Sequence, residues 1–267
     1  MSFAALDALD WPAFDPGTVW LVGAGPGAPG LLSLLGYHGL QQADVVVYDA
    51  LVSDRLLALA NPAAERIHAG KRGGKPSPKQ ADISLRLVEL ARSGKRVLRL
   101  KGGDPFMFGR GGEEAGALAR AGIRFRIVPG ISSGLGGLAY AGIPVTHRDT
   151  NHAVIFLTGH DETGELPQSV DWAAVATAAP VIVMFMAVKH LGAIAERLVA
   201  AGRDPHDRLA VVSHAALPGQ RVVEATLAEA ATLVGLETPA LVVLGPVSRY
   251  REVLDWYRPE LRSNALG

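Results

Sequence analysis

The 267-residue chain contains no cysteine. That excludes disulfides, thiolate nucleophiles, iron–sulfur clusters and zinc sites built on thiolates. It carries no net charge either, since 26 Lys and Arg balance 26 Asp and Glu. The molecule as a whole therefore lacks the footprint of a nucleic-acid or membrane-surface binder, although its charge is free to be uneven locally. No apolar run approaches the roughly 20 residues that a membrane helix needs. The stretch Met1–Gly17 holds Asp7, Asp10 and Asp15 but no Lys or Arg, unlike a secretory signal. Charged residues are few, at 19%, while hydrophobic residues reach 49%, ample for the core of one large domain or two ordinary ones. These absences lead to the expectation of a soluble, cytoplasmic protein with no nucleic-acid or membrane partner.

What is present is an alternation of short β-branched runs and longer helical patterns. Candidate strands are Val19–Val22, Asp44–Tyr48, Arg66–His68, Arg96–Leu100 and Phe125–Val128. Helical patterns lie between them, near Leu31–Gln41, Ser53–Ala60, Lys79–Ser93 and Gly112–Ala121. Such alternation predicts a mostly parallel sheet covered by helices on both faces. Val128–Ser133 and Gly142–Arg148 interrupt the pattern. A second set of strands follows at Ala153–Thr158, Val181–Phe185, Leu209–Ser213, Val222–Glu224 and Leu241–Leu244, with helices at Ala187–Ala200, Leu227–Val234 and Val247–Tyr257. The short Leu217–Gln220 connection predicts an antiparallel hairpin, and so a mixed second sheet. The expectation is two α/β domains, residues 1–131 and 132–267, with the active-site cleft between them.

Three stretches carry chemistry. In the first, Gly23–Gly30, an apolar run opens into a loop of four glycines and two prolines. Glycine lets backbone amides approach a ligand. Gly23, Gly25 and Ala28 fit the dinucleotide fingerprint, and Asp49 ends the second strand where a ribose-binding acid belongs. Pro26 and Pro29 argue against it, because they remove amides from the place where a pyrophosphate wants donors. A dinucleotide-dependent oxidoreductase and a ligand-free turn both stay open at this point. The second stretch, Arg99–Glu114, also runs from a strand end through glycines into a helix. Ligands in open α/β sheets sit beyond the carboxyl ends of strands, so the two loops should face one crevice. Asp104 either accepts hydrogen bonds from a ligand or caps its turn. Glu113 and Glu114 are read as helix-start acids without a chemical role.

The third stretch is basic. Between Ala64 and Arg110 twelve Lys and Arg face only four acids. That excess suits an anionic substrate. Its densest part is the Gly/Pro-punctuated loop Gly70–Lys79. His147, His152 and His160 lack metal-ligand spacing, and no metal is expected. Met184 and Met186 alternate with Phe185, which places both on one strand face.

With these residues in place, the chain resembles the tetrapyrrole methylases. The matching text is Leu21-Val-Gly-Ala-Gly-Pro-Gly27, Gln42-Ala-Asp-Val-Val-Val-Tyr-Asp-Ala-Leu-Val-Ser53, Gly70-Lys-Arg-Gly-Gly-Lys-Pro-Ser-Pro-Lys-Gln80 and the whole of Arg99–Glu114. Ile127–Ile131, Ala141–Arg148 and Leu157–His160 continue it, so the likeness runs from about Gly17 to Trp256. It implies a two-domain α/β homodimer that binds S-adenosyl-L-methionine and releases S-adenosyl-L-homocysteine. It implies two C-methylations of uroporphyrinogen III, through precorrin-1 to precorrin-2, on the way to sirohaem and cobalamin. By resemblance, Pro26, Gly102, Gly103, Asp104, Met107, Ser132, Ser133, Met186 and Ala215 line the cofactor site. Asp49 matches a proton acceptor, Lys71 a proton donor and Arg99 an active-site arginine. Arg72 and Lys75 are assigned to substrate carboxylates, which gives the basic loop a purpose. A methylase of a later corrin intermediate and a weakly active tetrapyrrole carrier are the neighbouring readings. Two departures stand out: Ala28 replaces the family's Asp, and Ser132-Ser133 replaces Thr-Ala.

Overall fold

In a computed structural model of the protein, residues 9–69, 80–258 and 260 are described. The chain forms two compact units, Met1–Gly25 with Leu31–Gly130, and Pro26–Gly30 with Ile131–Gly267. The short segment 26–30 thus belongs with the later half of the chain, an exchange that a contiguous division by sequence does not register.

The first unit is built on five parallel strands: β1 (Val19–Gly23), β2 (Val45–Tyr48), β3 (Glu65–His68), β4 (Val97–Lys101) and β5 (Phe125–Val128). Their order is β3-β2-β4-β1-β5. Four helices are described with them: α1 (Leu34–Gln42), α2 (Asp54–Leu57), α3 (Gln80–Arg92) and α4 (Gly111–Arg120). The central strands β1 and β4 are buried along their whole length, as continuous apolar runs in a two-sided sheet must be. Side-chain alternation sorts the core into two layers. Trp20, Val22, Val46, Leu98 and Leu100 pack with Leu40 of α1 and with Leu56 and Leu57 of α2. Val19, Leu21, Val45, Val47 and Val97 pack with Leu87 and Val88 of α3 and with Leu118 of α4. On β4 this second row continues into Arg99 and Lys101, two cations at buried positions.

The second unit holds β6 (Val154–Thr158), β7 (Val181–Phe185), β8 (Arg208–Ser213), β9 (Arg221–Thr226) and β10 (Ala240–Leu244), in the order β6-β7-β10-β8-β9. β6 and β7 are parallel and the other pairs antiparallel, and the β8–β9 hairpin forms as expected. Its helices are α5 (Ser133–Tyr140), α6 (Trp172–Ala178), α7 (Leu191–Ala200) and α8 (Arg251–Leu254). Ile182, Met184, Val242 and Leu244 form the core with Trp172 of α6 and with Ile194 and Leu198 of α7. No described helix is long and apolar enough to cross a membrane.

Several elements differ from the sequence reading. Helix α1 starts at Leu34 rather than Leu31, because the Ser33 hydroxyl accepts from Gly36 N at 3.1 Å and caps it there. Helices α5 and α6 were not expected. The stretch 227–234 holds only a 3-10 turn, Ala230–Thr232, and 247–257 holds a 3-10 turn followed by one turn of α8. Met186 leaves the β7 ladder at φ +53°, so it is 41% exposed while Met184 is fully buried. The expectation that both methionines share a face is therefore corrected.

Candidate active site

In the first unit the site is assembled where β1, β4 and β5 end. Ala24 N donates to Lys101 O at 2.7 Å, Gly25 N to Gly103 O at 3.1 Å, and Gly103 N to Gly25 O at 2.8 Å. The two glycine loops are thereby bonded to each other along their backbones. A Cβ on Gly23 would lie 2.5 Å from Gly130 Cα, and one on Gly130 would lie 2.3 Å from Gly103 O. Three main chains meet at this point with no room for a side chain. Asp104 reinforces the junction. Its Oδ1 accepts from Phe106 N at 2.8 Å and its Oδ2 from Gly130 N at 3.0 Å. Of the two roles open for Asp104, the structure displays the turn-shaping one. Gly103 sits at φ +67°, in the left-handed region that glycine tolerates best.

Beside this junction lies a buried cluster of charge. Arg99 Nη1 donates to Asp49 Oδ1 at 3.1 Å, to Leu100 O at 3.2 Å and to Val47 O at 3.4 Å. Its Nε donates to Glu114 Oε1 at 3.1 Å. The same oxygen accepts from Lys101 Nζ at 3.1 Å and from Gln80 Nε2 at 2.9 Å. The Glu114 side chain is fully buried and that of Lys101 is 3% exposed, whereas Asp49 keeps 27% of its surface open. Desolvation pushes the Lys101 ammonium below its ordinary range, with Arg99 adding to the shift and Glu114 and Asp49 opposing it. Asp49 is thus the accessible end of an otherwise enclosed ionic network.

Glu114 is what the sequence reading missed. The sequence pattern pairs it with Glu113 as a helix-start acid, yet Glu113 faces solvent against Arg110 while Glu114 points inward. A signal for it existed on β4. Arg99 and Lys101 occupy alternate positions of a buried strand, so they share a face and require a carboxylate there.

In the second unit, segment 26–30 lies against the start of α5 and the loop after β8. A Cβ on Gly136 would come 3.2 Å from Pro26 Cγ, and one on Gly137 would come 2.8 Å from Ala215 Cβ. Gly27, at φ +149°, would bring one within 2.8 Å of Leu217 Cγ and 3.2 Å of Ala215 O. Ser132 caps α5, accepting from Gly134 N at 3.3 Å, and Ser133 opens the helix. Met186, His214 and Ala216 all have positive φ, and they follow the carboxyl ends of β7 and β8. These strands are both antiparallel to β10, so the strained residues lie at one end of the sheet. Non-glycine residues in that region cost about 1 kcal/mol or more each and gather at ligand sites. Of the expected cofactor residues, Pro26, Ser132, Ser133, Met186 and Ala215 therefore fall in the second unit. Gly102, Gly103, Asp104 and Met107 fall in the first, with Asp49 and Arg99. Lys71, Arg72 and Lys75 lie outside the described residues.

The dinucleotide alternative does not survive this geometry. A Rossmann loop opens directly into its helix, so that the helix amides face the pyrophosphate. Here α1 begins only after a 3-10 turn, Pro29–Leu31, and a capping Ser33. Residues 26–30, with Ala28 buried, have meanwhile joined the other unit.

Comparison with known proteins agrees with that outcome. The sequence matches the model of the Tetrapyrrole (Corrin/Porphyrin) Methylases over residues 18–231. It is 62% identical over 248 residues to a uroporphyrinogen-III C-methyltransferase of Sinorhizobium sp, covering 92% of this chain and 89% of the relative. It is 45% identical to the siroheme synthase of Thiobacillus denitrificans, covering 98% of this chain but only 56% of that longer protein. Among solved structures, the Thermus thermophilus uroporphyrin-III C-methyl transferase complexed with S-adenyl homocysteine aligns with a TM-score of 0.77 at 43% identity. That alignment covers 87% of this chain and 99% of the other. With the family model matching residues 18–231 and 62% identity extending over 92% of its length, this chain belongs to the tetrapyrrole methylase family.

Proposed function

We propose that this protein is an S-adenosyl-L-methionine-dependent C-methyltransferase of uroporphyrinogen III, adding two methyl groups by way of precorrin-1 to give precorrin-2. The observation that carries the reading is the Asp49–Arg99 pair beside the backbone-bonded loops Gly23–Gly25 and Gly102–Asp104, in a chain 62% identical to a protein named for that reaction.

The residues fit the methyl donor. Gly102, Gly103, Ser132, Ser133 and Ala215 are small, which would let an adenosyl group and an amino-acid tail approach closely. Pro26, Asp104, Met107 and Met186 complete the proposed set. When bound, the donor supplies an electrophilic methyl on a sulfonium. An electron-rich pyrrole carbon would then need little beyond in-line placement, which is the part proposed for the two loops.

The protein's remaining work is to handle protons and carboxylates. Asp49 presents a carboxylate that is partly open to solvent, with one oxygen fixed by Arg99, and it takes up the proton released as the methylated ring rearranges. Arg99 stays enclosed and orients that carboxylate rather than meeting substrate. Lys71 is the proposed proton donor, and Arg72 and Lys75 pair with substrate carboxylates. The product would feed sirohaem and cobalamin synthesis. A homodimer working in the cytoplasm is part of the same reading, and light scattering together with cell fractionation tests those two points.

The decisive experiment incubates the protein with methyl-labelled S-adenosyl-L-methionine and uroporphyrinogen III. Label should enter the tetrapyrrole as two methyl groups per macrocycle. No transfer would refute the assignment, and transfer only to a later corrin substrate would redirect it.

A further inference from the structure

The reaction as described uses Asp49 and Arg99 but leaves Glu114, Lys101 and Gln80 without a part. Their burial is costly. Removing a carboxylate and an ammonium from water costs several kcal/mol per ion, and well-packed apolar side chains of similar volume would generally be at least as stable. The surroundings make that alternative concrete, because the same face of the sheet is otherwise packed with Val47, Leu87, Ala115 and Leu118. Two cations and a carboxylate are retained in an apolar layer, and stability does not account for them.

The geometry points to a use. Three donors converge on Glu114 Oε1, while its Oε2 is buried with no hydrogen-bond partner among the described residues. The carboxylate is therefore poorly satisfied for its own sake. What it does is hold the Nε edge of Arg99, leaving Nη1 to reach Asp49. The guanidinium is rigid and planar, so fixing Nε fixes the direction in which Nη1 presents its hydrogens. Lys101 and Gln80 fix Glu114 in turn, one from β4 and the other from the first turn of α3.

We propose that Glu114 is a positioning residue that sets the orientation of the Asp49 carboxylate through Arg99. This rests on the reading of Asp49 as the proton acceptor. The chain of contacts runs from α4, through a buried arginine on β4, to the loop that follows β2. Asp49 and Glu114 are thereby linked through one shared side chain with no direct contact needed between them.

The test is a double-mutant cycle measured by steady-state methyl transfer, with S-adenosyl-L-homocysteine affinity determined by calorimetry. Glu114→Gln should lower kcat by roughly 30- to 100-fold, the scale expected when a reacting group is displaced by about an ångström. KM for both substrates and the affinity for S-adenosyl-L-homocysteine should stay within about threefold, since the glycine loops are untouched. In the Asp49→Asn background the same change should cost almost nothing more, because its route of action has already been removed. A merely structural role would instead weaken ligand binding and add its cost in both backgrounds. Should Glu114→Gln fail to fold, Lys101→Met/Glu114→Gln removes one buried charge of each sign and should show the same kcat loss. Wild-type kcat in either Glu114 variant, or full additivity with Asp49→Asn, would overturn the proposal while leaving Asp49 in its role. Unchanged turnover in Asp49→Asn alone would remove the reading on which the proposal stands.

Discussion

Replacing Gly130 by alanine tests whether the convergence of three main chains is the physical basis of the site. The added Cβ would sit 2.3 Å from Gly103 O and 2.6 Å from Gly23 Cα, far inside van der Waals contact. Both obstacles are backbone, so no side-chain rotation relieves them. One strand end must retreat by about an ångström to restore normal contact. Forced overpacking of this kind costs about 1–3 kcal/mol. Retreat also strains the paired Gly25–Gly103 bonds and the Gly130 N to Asp104 Oδ2 bond, each worth about 1 kcal/mol. With those bonds strained rather than broken, a total of about 2–4 kcal/mol corresponds to a Tm lower by roughly 5–15 °C for a chain of this size. The assay is calorimetric melting, paired with S-adenosyl-L-homocysteine titration, where affinity should fall at least about tenfold because the loops that present backbone atoms no longer align. The control is Gly112→Ala in the first turn of α4, where a Cβ meets nothing within 4 Å. That change should raise stability by about 0.4–1 kcal/mol by restricting the unfolded chain. A Gly130→Ala protein that melts and binds like wild type would refute the argument that this crossing requires bare main chain.

Other predictions follow from the same network of contacts. Asp104→Ala removes the acceptors of Phe106 N and Gly130 N, and should weaken S-adenosyl-L-homocysteine binding by at least about tenfold in the same titration. Asp49→Asn should abolish most turnover while leaving that affinity within about threefold, as measured by single-turnover transfer of labelled methyl. Arg96 grips Asp44 with its side chain and its own backbone amide at 2.8 Å, and that side-chain bond holds the Asp44 carboxyl below its ordinary range. A depressed folded value means that the stabilisation is present above the unfolded value near 4 and is lost as pH falls through the folded one. Denaturation curves of Asp44→Asn should therefore lie below wild type at pH 7 and approach it below about pH 4; a gap that does not change with pH would refute the linkage.

The strands were legible because β-branched runs bounded by glycine, proline and aspartate leave few alternatives in a two-sided sheet. The parallel character of the first sheet and the hairpin in the second followed from connection length, which depends on the chain alone. Helix α5 was hidden for a physical reason. Gly134, Gly136 and Gly137 are poor helix formers, and in isolation they read as an interruption. In the fold they are required, because a Cβ on them would strike Phe185, Ile131 and Ala215. Helix α6 was hidden by its shortness and by the small residues that follow Trp172, which give no helical period to detect. The helix expected over 227–234 had apolar residues at suitable spacing, yet only one 3-10 turn of it formed.

The site divides the same way. Asp49, Arg99 and the two glycine loops could be singled out in the sequence because strand-end position and glycine content are local properties, and the resemblance to a family supplied their roles. Asp49 and Arg99 are fifty residues apart, however, and only the adjacency of β2 and β4 brings them to 3.1 Å. Glu114 shows the limit most clearly. Its neighbours in sequence mark the start of a helix, and nothing local distinguishes it from Glu113. The packing of α4 on the sheet turns one acid to solvent and the other onto two buried cations. By itself the sequence determined the strands, the glycine loops and the family. Only the tertiary structure decided which charges meet, since contact between distant residues depends on how the strands and helices pack together.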